Sequence, residues 1–400
     1  MKRTLCAAMV IAMLAMIITP ALATVWFEQI EINGVTINCD GSDDGYLQIS
    51  PTDRQFEEML ANRGDGFYLD LSARKTKVMN GYSIYFPDAD SYGLTTIKFA
   101  DKTMVKLPQL LSYQMDQANG IKVSYEFDKD GAAISVSIEI LQKDGSTEGY
   151  GNYNDPILVS LPYENANPNE NGSIVLENTE TGIISRSFLA DKTLYGFVYQ
   201  NGKHIIKKSN PLTYTDVIPV WAKGSVDYLS ARGIIRGYTD GRLYANSGVT
   251  QLEFAIMFSR MYGYDTSKDS YFDSYFPDIP EWSKKAFDRG TAYIMFLQGN
   301  DKFEPDKVMT RGEVFKAFYI LLMVHDLYYN PDKYESAFSD YTDDLHAVKM
   351  LDQMGLLEGY GGNVSVNDIA SRAQVFTMLE RFIKWQIAYS LEKTVYVFEG

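Results

Sequence analysis

The chain has 400 residues, 52 of them acidic against 37 basic, for a net charge of −15. That balance repels nucleic acids and anionic membranes over long range, so any anionic partner needs a local basic pocket. Two cysteines exclude a disulfide scaffold, while 46% hydrophobic and 14% aromatic residues supply an ample core.

Residues 1–23 read as a secretory signal: Lys2 and Arg3, an apolar run from Leu5 to Ile18, and the small-x-small site Ala21-Leu22-Ala23. The apolar run is short for a retained membrane anchor, and Cys6 lacks the context of a lipidation site. No other segment is long and apolar enough to span a bilayer, so no membrane span is expected after cleavage. Cys39 is then the remaining cysteine. A secreted chain without disulfides points to a bacterial surface protein.

Residues 24–150 read as a β-rich domain. Ile30-Glu31-Ile32 and Val35-Thr36-Ile37 alternate around the hairpin dipeptide Asn33-Gly34. Ile121 to Phe127 and Ala133 to Ile140 repeat that plan around Asp128-Lys129-Asp130-Gly131. Tyr82 to Phe86 and Thr95 to Phe99 are further strand candidates, and Gln55–Leu60 and Gln109–Gln117 are short helix candidates. Residues 151–210 continue in β style, with an apolar strand over Ile157 to Leu161. Candidate strands follow over Ser173 to Leu176, Gly182 to Phe188 and Leu194 to Tyr199. Lys203 to Pro211 reads as a basic, proline-terminated connector.

From Tyr214 the apolar period changes from two to about 3.6. Three units are expected at 211–268, 269–330 and 331–390, with a tail at 391–400. Thr250-Gln251-Leu252-Glu253, Thr310-Arg311-Gly312-Glu313 and Ser371-Arg372-Ala373-Gln374 recur 60 and 61 residues apart. Each follows an aromatic-x-Asp opening: Tyr214-Thr215-Asp216, Phe276-Pro277-Asp278 and Phe338-Ser339-Asp340. Phe254, Met257, Phe258 and Met261 lie on one face of the helix after Thr250, and equivalent positions recur after Thr310 and Ser371. Shorter helices are expected over Val220–Arg232, Glu281–Phe296 and Asp344–Met354, so each unit is helix, glycine-bearing loop, helix.

Ser or Thr followed three residues later by Glu or Gln is a capping box, in which each side chain satisfies the other's backbone donor. Capping leaves the second position unexplained. Arg311 and Arg372 sit at the partly positive helix end, where a cation is mildly unfavourable but where free backbone donors form an anion pocket. They serve either a ligand or a surface ion pair.

The run Tyr214-Thr215-Asp216, Trp221, Gly233-Ile234-Ile235-Arg236-Gly237-Tyr238-Thr239-Asp240-Gly241, then Thr250 to Phe254 is similar to the S-layer homology module, and three copies span about 214–385. The resemblance implies an α+β multidomain protein, with the β-rich region followed by an all-α C-terminal pseudo-trimer of helix-loop-helix repeats and ligand grooves between its lobes. It further implies non-covalent anchoring to the wall of a Gram-positive-type bacterium. The partner would be secondary cell-wall polysaccharide, often carrying pyruvate ketals, with other surface-layer subunits as further candidates. Trp221, Asp240, Trp282, Arg311 and Arg372 fall at ligand-facing positions of the pattern. A ketal carboxylate is met by Arg and a sugar face by Trp, although both tryptophans also suit a core. Copy one has Gln251 where the family has Arg; copy two has Ile294 for the glycine; copy three has Asp343 for Trp and Gln374 for Glu.

Chemistry elsewhere is sparse. His204, His325 and His346 have no metal-like spacing, and Asp128-Lys129-Asp130-Gly131 is similar to a calcium loop only at its start. No phosphate loop, dinucleotide fingerprint or serine elbow occurs, so no catalytic residue, metal or cofactor is assigned. The resulting expectation is a non-enzymatic, wall-anchored surface protein. The alternatives are a wall-anchored hydrolase or an adhesin with its activity in 24–210, where many carboxylate pairs are available.

Overall fold

The computed structural model describes residues 26–41, 46–62, 67–71, 81–86, 95–99, 103–107, 118–127, 132–142, 144–149, 156–164, 167–262, 277–284, 286, 302–324, 335–341 and 346–392. The signal, the Gln109–Gln117 helix, the Asp128–Gly131 turn, His325 and the tail after residue 392 lie outside them. Among the described residues no helix is long and apolar enough to cross a membrane.

The described residues from 26 to 208 form two β-sheets that share one core. One has the strand order β1 (Trp26–Ile32), β2 (Val35–Gly41), β3 (Tyr46–Ile49), β5 (Gly81–Phe86), β8 (Ala118–Phe127), β9 (Ala133–Gln142), β16 (Gly202–Lys208), β12 (Ile174–Asn178) and β13 (Ile184–Ser185), with β10 (Thr147–Gly149) also on β9. The other runs β14 (Ser187–Ala190), β15 (Thr193–Val198), β11 (Ile157–Pro162), β7 (Met104–Leu107), β6 (Thr95–Lys98) and β4 (Phe67–Asp70). The β1–β2 turn is the expected Asn-Gly type: Ile32 faces Val35, with φ of 49° at Asn33 and 76° at Gly34. The short helix α1 covers Asp53–Ala61.

Lys203 to Lys208 is no connector. It is β16, hydrogen-bonded between β9 and β12, with His204 and Ile206 facing inward. Only two apolar-facing positions among lysines gave too weak an alternation to read as a strand. Cys39 faces the core of the sandwich, and burial pushes its thiol up to about 12. It should therefore stay unmodified by iodoacetamide at neutral pH in the native protein and react fully only on unfolding.

Strand β11 is buried on both sides, which explains its unbroken apolar run. Ile157, Val159 and Leu161 point between the sheets, whereas Leu158 packs with Phe197 into the core of the C-terminal region. The helices there are α2 (Lys223–Ala231), α3 (Gln251–Tyr262), α4 (Arg311–Val324), α5 (His346–Gln353) and α6 (Arg372–Glu392). The six-stranded sheet is thus covered by helix, and three cations bridge the two parts. Arg232 is fully enclosed and donates to the carbonyls of Gly172, Ile174, Ser187 and Tyr228. Arg186 bonds Tyr199 and Gln386 and lies 4.0 Å over the Tyr262 ring. Lys106 reaches the Ser390 carbonyl.

Burial pushes the phenols of Tyr199 and Tyr228 up to about 12 at this junction. A folded pKa above the unfolded value near 10 means stabilisation that is present below pH 10 and lost as pH rises toward 12. The urea midpoint should hold steady below pH 10 and fall steeply above it, as followed by circular dichroism.

The expected all-α pseudo-trimer is corrected by the structure. Beyond residue 210 the described residues hold five helices separated by long extended segments, turns and isolated β-bridges. Of the helix expected over Glu281–Phe296, the 3₁₀ turn at Glu281–Ser283 is described, and residues 287–296 lie outside the described residues. The reason lies in where the backbone groups bond. Ahead of the three motif helices, Val249 N–H donates to Ala370, Ala370 N–H to Met309 and Met309 N–H to Val249, at 2.9–3.0 Å. This ring of inter-segment bonds is sheet-like, and it holds those residues out of the helices that follow.

The aromatic-x-Asp openings have a shared task. Asp216 accepts from the N–H groups of Leu243 and Tyr244, Asp278 from Phe303 and Glu304, and Asp340 from Val364 and Ser365, at 2.6–3.0 Å. The second residue of each pair, Tyr244, Glu304 or Ser365, has φ of 52° to 55°. Each carboxylate pins a left-handed, non-glycine turn that is unfavourable by itself. Asp216→Ala should lower stability by about 1–3 kcal/mol in urea titration, because two backbone donors lose their acceptor.

Candidate functional site

All three capping boxes are formed. The Thr250, Thr310 and Ser371 hydroxyls accept from the N–H three residues on, at 3.2–3.3 Å, and Glu253, Glu313 and Gln374 accept in return at 2.8–3.0 Å. The helix ends are not open to an anion, however. The first-turn N–H groups of Gln251 and Leu252 donate to Lys307 and Pro305, those of Arg311 and Gly312 to Asp368 and Val366, and those of Arg372 and Ala373 to Ser247 and Ala245. With the next N–H capped, the anion pocket expected from free backbone donors is filled by protein.

The second motif position is explained by the same ring. Gln251 Nε2 donates to the Phe303 carbonyl, Arg311 Nε to Val364 and Arg372 Nε to Leu243, at 2.5–3.0 Å. Each side chain reaches the loop of the following copy and bonds the residue just before its left-handed turn. Gln251, which departs from the family pattern, still makes this bond.

The remaining atoms of these side chains have different fates. Arg372 is 6% exposed, its Nη1 lies 2.7 Å from Glu253 Oε1 without hydrogen-bond alignment, and the Tyr238 ring covers it at 5.0 Å. Arg311 bonds the Val364 and Glu358 carbonyls and lies 5.5 Å from the Phe315 ring. Burial lowers its pKa, and Asp368 and Asp340 partly offset this.

Arg311 lines an open cavity of about 490 Å³ drawn from all three motif copies. Trp221 comes from the first, on the 3₁₀ turn Val220–Ala222 after Pro219; Arg311 and Phe315 come from α4; Tyr360, Ile369 and Arg381 come from the third. Trp221 is 59% exposed, Tyr360 94% and Ile369 61%. Exposed aromatics beside two arginines suit a sugar face and an anionic substituent. Glu358 and Asp368 also line the groove, and Glu358 pairs with Arg381.

The expected site residues are therefore split. Trp221 and Arg311 share this groove. Trp282 is 70% exposed on its own 3₁₀ turn, away from it. Asp240 closes its own loop, accepting from Tyr244 Oη at 2.6 Å and Arg242 N–H at 3.0 Å. Arg372 is enclosed. Tyr360 and Arg381 are not among the expected site residues: Tyr360 lies in the loop after Gly359, and Arg381 reaches the groove through its phase on α6. Among the described residues no group of three His, Cys, Asp or Glu side chains could hold a metal.

Comparison with known proteins places this geometry. Residues 213–255 match the S-layer homology domain. The chain is 26% identical over 211 residues to the exoglucanase XynX of Acetivibrio thermocellus, covering 48% of this chain and 18% of that protein. It is 27% identical over 166 residues to the endo-1,4-beta-xylanase A of Thermoanaerobacterium saccharolyticum, covering 39% of this chain and 13% of that protein. The chain thus spans under a fifth of the length of either relative. Both are named for glycan cleavage, which overturns the expectation of a non-enzymatic protein. One S-layer homology domain, at 213–255, is found in this chain, and it supports cell-wall anchoring and a cell-surface location.

Proposed function

We propose that this protein works outside the cell, held to anionic secondary cell-wall polysaccharide through the Trp221–Arg311–Tyr360–Arg381 groove. The observation that carries the reading is that two exposed aromatics and two guanidinium groups, supplied by three separate chain segments, converge on one open cavity. In a chain of net charge −15, such a pocket offers an anionic glycan local attraction against general repulsion. The three aromatic-x-Asp turns and capping boxes support reading all three motif copies as S-layer homology repeats.

The test uses the full chain, because Arg232, Arg186 and Lys106 tie the repeats to the sheets. It is incubated with purified cell walls before and after chemical removal of the secondary polysaccharide. Binding only to the untreated walls is expected; equal binding to both, or to neither, removes the polysaccharide reading.

A second reading, favoured by the names of the two relatives, is that the anchored protein is itself a glycan hydrolase with its site in 24–210. Reducing-sugar release from xylan and β-glucan by the purified chain tests it. A chain that releases none from either is an anchor without that activity.

A further inference from the structure

His204 is 1% exposed inside the sandwich, and its hydrogen bonds suit one protonation state only. Asn178 lies directly across the ladder from it and is equally buried. Asn178 Oδ1 accepts from the Glu180 and Thr181 N–H groups at 3.0 Å and from the Thr181 hydroxyl at 3.1 Å. Those donors mark that atom as the oxygen, so the other end of the amide is NH₂. The NH₂ donates to the Asn201 carbonyl and to His204 Nε2, each at 3.3 Å. Nε2 is therefore an acceptor, and the ring proton sits on Nδ1, which donates to the Gly202 carbonyl at 3.0 Å. One neutral imidazole and one amide together hold two turns, at 179–183 between β12 and β13 and at 199–201 between β15 and β16.

We propose that His204 and Asn178 form an acid-sensitive latch on this edge of the sandwich: protonating the imidazole puts an N–H where Asn178 already presents one, and the two turns open. Rotating the amide gives no escape, because its NH₂ would then face the Glu180 and Thr181 N–H groups. The opening reaches toward the joint with the C-terminal region, since β13 continues through Arg186, which bonds Tyr199 and Gln386, into β14. Among the described residues, the groups packed on the ring are uncharged: Ile134 and Asn178 are its ladder partners, and β15 turns Leu194 and Val198 into the same core. Lys203, Lys207, Glu177 and Glu139 alternate onto the outer face. Glu180 is the carboxylate to control for; it is exposed, but its Oε1 lies 3.0 Å from where a Cβ on Gly202 would stand. Burial holds the ring's pKa below its usual 6.5, with the Gly202 bond offsetting this in part. The closed latch is therefore stabilised above that value and is lost as pH falls below it. The phenols of Tyr199 and Tyr228 add nothing to this acid limb, because they ionise only at high pH.

Hydrogen exchange of the full chain, read by mass spectrometry and corrected for the intrinsic rate, tests the latch. From about pH 7.5 to about pH 5.5, exchange over residues 178–206 should rise roughly tenfold, the linkage of one proton, while β2 stays protected. His204→Gln should flatten this dependence, because glutamine has no proton to gain. Asn178→Asp should reverse it, since a carboxylate at that place accepts from the imidazolium. Glu180→Gln should leave the rise intact. A rise that survives in a folded His204→Gln protein, or that vanishes in Glu180→Gln, overturns the latch. An Asn178→Asp protein that still opens in acid, or an unaltered chain that exchanges equally at both pH values, does the same.

Discussion

Arg232→Met is expected to destabilise the protein by about 3–5 kcal/mol, among the largest effects of any single substitution here. The guanidinium makes five hydrogen bonds to four carbonyls, at 2.7–3.1 Å: to Ser187, Ile174 and Gly172 of the sheet region and to Tyr228 of its own helix. Its carbon lies 3.6 Å from the centre of the Tyr228 ring. Methionine fills similar volume but donates nothing, so carbonyls buried between the sheet and α2 lose their donor. Lysine should rescue little, because three donors on a point charge do not match a planar fork of five. For a chain of this size the loss corresponds to a fall on the order of 5 °C in Tm. Calorimetry reads a second consequence. If Arg232 joins the two parts into one cooperative unit, the substitution should split a single transition into two; an unsplit transition with an unchanged Tm counts against the joint.

Much of the fold is visible in local patterns. The Asn33-Gly34 turn, the β8–β9 hairpin, α1 and the helix after each capping box all follow from signals a few residues long. What escapes is set by partners distant in sequence. Strands β3 and β5 pair in parallel, as do β4 and β6, and no turn dipeptide announces such pairs. Strand β16 hides because its lysines lie on a partly solvated face, where Lys207 pairs with Glu177. At the candidate site, Trp221 and Arg311 were legible from the motif. That Arg372 is spent on Glu253, and that Arg381 is not a mere surface charge, depends on which copy's loop meets which copy's helix. A cation at a helix start, judged against its own helix alone, looks like a ligand group. Judged against the next copy, it is a donor to a carbonyl.

The two motif arginines should therefore respond oppositely to the same change. Arg372→Ala should cost about 2–4 kcal/mol, because it removes the donor to Leu243, uncovers Tyr238 and leaves Glu253 without its cation in a largely enclosed place. Wall binding by whatever remains folded at low temperature should be near normal. Arg311→Ala gives up one cross-copy bond to Val364 and a longer one to Glu358, on a half-exposed side chain, for about 1 kcal/mol. Its effect should fall on affinity instead, by an order of magnitude or more for an anionic wall fragment, since the charge that meets the ligand is gone. Urea titration and calorimetric binding on the same two preparations separate the outcomes. Equal losses of affinity in both variants at equal stability would mean that Arg372 is a ligand residue after all, and that its pairing with Glu253 opens when glycan arrives.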